Sequence, residues 1–257
     1  MKIGLSTGSI AGPDLWRGLE LALSLPCQAI ELSALREAEL DPLLRALDRI
    51  DGMVAGLESV AVHVPSRFEE VTESKVVQQL HSIAERHWLA IVHPDIIQTP
   101  KLWNALGAAL CIENMDKRKV VGRTARQLQD LFSELPEATF CFDIGHARQV
   151  DPTMLEASRM LASLGGRLRQ IHMSHVNSSS RHERLKYESI LAYRQVAAAL
   201  PREIPIILES CIPTDGFADE VFRLMQVFST DPIDMSRQTH SSVPFQWPQP
   251  TARVVMS

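Results

Sequence analysis

The sequence predicts a closed (β/α)₈ barrel, a single domain over residues 1–228 with a short irregular tail at 229–257. Three observations carry this prediction. Eight short apolar runs recur along a chain of 257 residues, and a barrel of eight βα units needs about 250. Most of the runs are almost continuously apolar, as parallel strands buried on both faces should be. Each run is followed by an amphipathic stretch, and nothing signals an antiparallel pairing.

The first run, Lys2–Ser6 (KIGLS), opens the chain and reads as a first strand rather than a signal peptide. Thr7-Gly8-Ser9 follows it. An open doubly wound sheet, the main alternative, would carry a glycine-rich phosphate loop there, and this tripeptide is no such fingerprint. The second to fifth runs are Ala29–Ser33 (AIELS), Val60–Val64 (VAVHV), Leu89–His93 (LAIVH) and Ala109–Glu113 (ALCIE). Thr139–Asp143 (TFCFD), Gln170–Ser174 (QIHMS) and Ile204–Glu209 (IPIILE) complete the eight. The intervening stretches read as helices. Thr124–Leu135 sets Ala125, Leu128, Leu131 and Phe132 on one face, and Tyr187–Leu200 and Phe217–Phe228 show similar stripes. Pro13, Pro42 and Pro152 fall where a first helical turn tolerates proline, with Asp41 and Asp151 as caps for the latter two. The segment between the fourth and fifth runs is short, so its helix should be stunted. Ser229–Ser257 is rich in Pro, Gln and Ser without periodicity, and reads as a tail that wraps the barrel, frays, or pairs copies into a homo-oligomer.

Composition narrows the function classes. Lys and Arg number 26 against 31 Asp and Glu, for a net charge of −5 and a pI near 6.0. That balance argues against gripping nucleic acid by bulk electrostatics, which needs clustered cations. With Phe 8, Trp 4 and Tyr 2, no insertion rich in Arg, Lys and aromatics stands out that could pry a nucleotide from a duplex. A small phosphorylated substrate remains compatible. The four cysteines, Cys27, Cys111, Cys141 and Cys211, form no C-x-x-C pair, and three lie in or beside apolar runs where a thiol packs as a small hydrophobe. Reduced thiols suit a cytoplasmic protein. No window reaches the roughly 18 apolar residues of a membrane span.

Polar residues collect at the ends of the runs. The third ends in His63, the fourth in His93 and the fifth in Glu113. The sixth ends in Asp143, with His146 just beyond; the seventh carries His172, with His182 soon after; the eighth ends in Glu209. In a barrel the C-terminal strand ends ring one mouth, where active sites lie. Carboxylates and imidazoles crowded there need a compensating cation, because isolated buried charge is costly. Imidazole nitrogen and carboxylate oxygen suit divalent ions such as Zn, Mn, Fe, Co or Mg, at one to three per chain.

In this order the segments H-V-P, V-H-P, I-E-N, D-I-G-H-A, I-H-M-S and I-L-E-S resemble the xylose isomerase-like barrel superfamily, which includes sugar phosphate isomerases and epimerases, inosose dehydratases and the endonuclease IV family. The resemblance covers about residues 1–228. In the isomerase and epimerase branch it implies one metal held by Glu113, Asp143, His172 and Glu209. In the endonuclease IV branch it implies a three-metal cluster that adds His63, His93, His146 and an Asp-x-His after the seventh strand. Ser180-Arg181-His182 matches that last pattern, with Ser180 in place of the Asp. The glycine-glutamate-glycine turn of the epimerase branch is absent.

Two chemistries follow from the resemblance. The first is a sugar or polyol isomerase, epimerase or related dehydratase, in which Glu113 and Glu209 move a proton between opposite faces of a substrate carbon through a metal-stabilised enediolate. The second is a multinuclear metal-dependent hydrolase of a small phosphate ester, favoured by the extra histidines. A non-enzymatic metal or sugar binder is the third reading, and the pair of opposed glutamates argues against it. Glu31, Asn114, His175 and Arg181 are candidate substrate contacts, with Lys117-Arg118-Lys119 and Arg123 able to receive a phosphate or carboxylate.

Overall fold

A computed structural model of the chain describes residues 1–235. Most of the expected tail, with His240 and Trp247, lies outside the described residues. The eight barrel strands are β1 (Ile3–Ser6), β2 (Ala29–Ser33), β3 (Ser59–His63), β4 (Leu89–Val92), β5 (Leu110–Glu113), β6 (Thr139–Asp143), β7 (Leu168–Met173) and β8 (Ile206–Leu208). Each is parallel to its neighbours, and β8 pairs with β1, Ile206 opposite Ile3, to close the ring. All eight coincide with the apolar runs of the sequence to within two residues at either end. A small antiparallel hairpin, His175–Val176 against His182–Glu183, follows β7 and was not foreseen.

Strand alternation assigns the side chains. Val62, Val92, Ile112, Phe142, Met173 and Leu208 point outwards into the main core beneath the helices. Each such fully buried side chain contributes about 1.5–3 kcal/mol. Ala61, Ile91, Cys111 and Cys141 form a separate apolar cluster on the opposite, inward face. Two residues further along the same strands, and therefore on the same inward face, stand His63, His93, Glu113 and Asp143. An apolar plug thus floors a polar chamber at the C-terminal mouth.

The helices follow the strands as amphipathic patterns require. Thr124 caps Ala125–Glu134, accepting from Gln127 N at 3.2 Å. The β4–β5 connection holds a single α-helical turn, Pro100–Trp103, between two 3₁₀ stretches, Pro94–Ile96 and Asn104–Ala109. Tyr187–Tyr193 ends sooner than its stripe suggests and gives way to a 3₁₀ turn at Ala197–Ala199. Pro42 lies inside Glu37–Arg45 rather than in its first turn, so Asp41 is no cap there. The helix starts earlier because Glu39 bonds the amides of Leu35 and Arg36. Glu37 in turn takes the amides of Glu69, Glu70 and Val71, and Glu73 takes those of Gln98 and Thr99, fastening the loops that leave β3 and β4. Gln226, near the end of Phe217–Val227, bonds both Asp234 N and O, tying down the first tail residues. Among the described residues no helix is long and apolar enough to cross a membrane.

Candidate metal centre

The eight predicted ligands converge. They form three overlapping groups whose ligand atoms lie within 4.8 Å of one another: His63, His93 and Glu113; Glu113, Asp143, His172 and Glu209; and Asp143, His146 and His182. Glu113 belongs to the first two groups and Asp143 to the last two. His93 Nε2 and His63 Nε2 approach Glu113 Oε2 at 3.1 and 3.4 Å. His172 Nδ1 stands 3.1 Å from Glu113 Oε1 and 3.4 Å from Glu209 Oε1. His146 Nδ1 is 3.3 Å from Asp143 Oδ2, and His182 Nδ1 is 3.3 Å from Glu209 Oε2.

Local structure aims each imidazole. His63 Nδ1 bonds the carbonyl of Val64 at 3.1 Å, which turns its Nε2 towards Glu113, and His146 Nδ1 bonds the carbonyl of Asn114 at 3.0 Å. His172 Nε2 bonds Glu31 at 2.8 Å and so leaves Nδ1 for the central group. The Ser174 hydroxyl meets His182 Nδ1 at 2.8 Å. Asp143 also caps the helix Ile144–Val150, accepting from His146 N at 2.7 Å, so one carboxylate fixes the helix that presents His146. Gly145 sits where a Cβ would meet Val176 Cγ2 at 2.6 Å and the Ser174 carbonyl at 3.0 Å, so the D-I-G-H turn needs glycine for close approach to the hairpin.

Cation deficiency is written into this chamber. Glu113 Oε2, Asp143 Oδ2 and Glu209 Oε2 are buried, and they face imidazole nitrogens at 3.1–3.4 Å. Burial pushes the Glu209 carboxyl well above the usual range, with His172 offsetting part of the shift, and it raises Asp143 as well. Burial also opposes ionisation of Glu113, but the charge of His172 and hydrogen bonds from His172, His63 and His93 hold it well below the usual range. His182 is pushed down to about 3, chiefly by burial, and so is a neutral imidazole able to donate a lone pair. Burial lowers His93 as well, and it opposes the charge of His172 and His63, but the surrounding carboxylates raise both; buried carboxylate oxygens beside imidazole nitrogens are the donor set that divalent ions complete, so the residues fit such a group.

Four expected substrate contacts separate into two kinds. Arg181 lines the cavity above the cluster, a space of about 640 Å³. Glu31 does not: it is fully buried beneath His172, bonding His172 and Gln170. Asn114 is also fully buried, and its amide clamps the backbone of Asp143, donating to its carbonyl and accepting from its N–H at 2.8 Å each. His175 faces the helix layer near Glu188. Glu31 and Asn114 are supports for the centre rather than parts of its open face, and His175 does not line the cavity. Ser180, expected at a ligand position, bonds Gln149 at 2.8–2.9 Å, away from the cluster. Among the described residues no carboxylate takes its place in the Asp143, His146 and His182 group.

Sequence reasoning missed Asp116, which lines the cavity and grips Arg118 through its backbone and guanidinium nitrogens at 2.5–2.8 Å. It lies three residues past Glu113, close enough to the strand end to have been singled out. Lys119 reaches Asp95 at 2.5 Å. Arg181 alone of the three rim cations has no side-chain partner among the described residues. Ser6, Ser9, Ser66 and Cys211 also line the cavity.

No protein-family model and no curated protein matches the sequence. Solved structures match its fold. A xylose isomerase domain protein from Alicyclobacillus acidocaldarius superposes with a TM-score of 0.60 at 13% identity, over 88% of this chain and 98% of that one. Endonuclease IV from Thermus thermophilus gives 0.55 at 17% identity over 89% and 98%, and a D-allulose 3-epimerase from Methylomonas sp. gives 0.53 at 13% over 86% and 90%. The chain shares the (β/α)₈ barrel fold of these structures. At this identity the likeness establishes the architecture, and the chemistry of the chain has to be argued from its own centre.

Proposed function

We propose that this (β/α)₈ barrel is a multinuclear divalent-metal enzyme that hydrolyses a small phosphate ester. The observation that carries the reading is the sharing of Glu113 and Asp143 among three groups of donors. A single-metal isomerase needs only the central group, and has no use for His63, His93, His146 and His182 all turned into the same chamber. The three rim cations Arg118, Lys119 and Arg181 add an anion-attracting mouth to an otherwise acidic chain.

Divalent ions, when bound, would supply Lewis acidity for activating water and for neutralising charge on the phosphoryl oxygens. Glu113 and Asp143 would each serve two groups, with His63 and His93 on one side and His146 and His182 on the other. Arg181 would draw in the phosphate through its unpaired guanidinium. Asp116 would hold Arg118 at the rim. Glu209 would accept a proton at its buried Oε2. The cavity of about 640 Å³ suits a small molecule, and the acidic balance speaks against duplex nucleic acid.

A second reading has its own observation. The central group alone, Glu113, Asp143, His172 and Glu209, would serve an isomerase, epimerase or dehydratase acting on a sugar-like hydroxy-carbonyl compound, with Glu113 and Glu209 exchanging the substrate proton. Activity screens separate the two. Release of phosphate or alcohol from phosphomonoesters and phosphodiesters supports the hydrolase. Turnover of keto sugars or inososes without phosphate release supports the isomerase.

A further inference from the structure

Glu220 is a fully buried carboxylate on the helix Phe217–Val227, outside the chamber. Its Oε1 accepts from Ser210 Oγ at 2.5 Å and from Leu185 N at 2.7 Å, and Arg184 Nε lies 3.6 Å from Oε2. Ser210 directly follows Glu209. Leu185 and Arg184 leave the hairpin that carries His182. The same helix grips this exit a second time, through Arg223 Nη1 on the Leu185 carbonyl at 2.9 Å. An apolar side chain in this position would generally stabilise the core as well or better, because a buried carboxylate must recover its desolvation cost through its partners. Glu209 N still bonds the Met173 carbonyl at the end of β7 at 3.2 Å; what the carboxylate adds is a second tie, from Ser210 to the exit of the hairpin, which belongs to a separate two-stranded sheet.

We infer that Glu220 is a positioning residue that holds Glu209 and His182 in common register on one wall of the centre. It touches neither a candidate ligand atom nor the cavity, and acts through Ser210 and the Arg184–Leu185 backbone. The opposite wall, His63, His93 and Glu113 on β3 to β5, is built without it.

The proposal rests on the metal-centre reading, and Co²⁺ titration of the metal-stripped full chain tests both separately. Wild type, Glu220→Leu, Glu220→Gln and Ser210→Ala are compared by ligand-field absorption and calorimetry, with thermal midpoints in chelator as a control for folding. Glu220→Leu should weaken Co²⁺ binding to the Glu209 and His182 groups by about tenfold or more. One ion should survive, and it should be the one that His93→Ala removes. Glu220→Gln keeps an acceptor for Leu185 N and should restore most of the loss; Ser210→Ala should show a smaller loss of the same ions. Uniform weakening of every ion, or wild-type titrations for both Glu220→Leu and Ser210→Ala, overturns the proposal while the centre stands. Should Glu220→Leu not fold, Ser210→Ala with wild-type binding is enough to overturn it. A wild-type chain that binds no Co²⁺ overturns the metal reading itself, and the positioning role with it.

Discussion

Nε2 of His172 lies 2.8 Å from Oε2 of Glu31, both side chains fully buried. The contact leaves His172 Nδ1 facing Glu113 and Glu209, the carboxylate–imidazole–metal arrangement that fixes a ligand's tautomer. Glu31→Gln removes the acceptor charge and keeps the shape. It should lower metal affinity at the central group about 10–100-fold with little change in fold. Equilibrium dialysis beside circular dichroism checks this.

Arg181 is the rim cation without a partner. On the hydrolase reading, Arg181→Ala should raise KM for a phosphorylated substrate by about tenfold, the scale of one charge-assisted contact, and leave kcat nearly unchanged. Steady-state kinetics on a responsive phosphate ester reads the split, and an unchanged KM would remove Arg181 from the binding site.

Gly145→Ala puts a methyl group against Val176 and the Ser174 carbonyl. The start of Ile144–Val150 must shift, taking His146 with it. A destabilisation of about 1–3 kcal/mol is expected from the overpacking, with preferential loss of the ion bound through Asp143, His146 and His182. Denaturant midpoints and metal analysis of the same preparation check both effects.

Glu73 is a structural carboxylate away from the centre. Burial opposes its ionisation, but hydrogen bonds from Thr99, Trp103 and Gln98 outweigh burial and lower its pKa. A depressed carboxyl stabilises the fold above its unfolded pKa, about 4.3, and the contribution disappears as pH falls through the folded value. Glu73→Ala, which strands the indole N–H of Trp103 and two amides, should cost about 1–3 kcal/mol at neutral pH. For Glu73→Gln the difference from wild type should shrink below about pH 4.3; urea titrations at stepped pH values follow it.

The barrel was legible because parallel strands buried on both faces are written as apolar runs, and such runs have few other readings. The centre was legible because those runs stop in His, Asp or Glu, and alternation then turns His63, His93, Glu113 and Asp143 inwards together. What stayed hidden depends on partners distant in sequence. Glu31 faces inwards like the ligands but lies two residues short of the end of β2, level with Ala61, and there it meets His172, 141 residues away. Asn114 follows Glu113 and so faces away from the cavity, where it meets the backbone of Asp143. The hairpin escaped notice because each of its strands is only two residues long. Pro42 was misplaced because Asp-Pro imitates a helix start, whereas Glu39 had already closed the first turn upstream.

If Glu113 and Asp143 unite several ions, the metal content of each chain will show it. Elemental analysis of protein purified without added metal is run on wild type, Glu113→Gln and His93→Ala. Two or three ions are expected in wild type, with the loss of one in His93→Ala and of more than one in Glu113→Gln. A single ion that Glu113→Gln removes and His93→Ala retains would contradict the multinuclear centre and leave the isomerase reading; no ion, even after reconstitution, would contradict both.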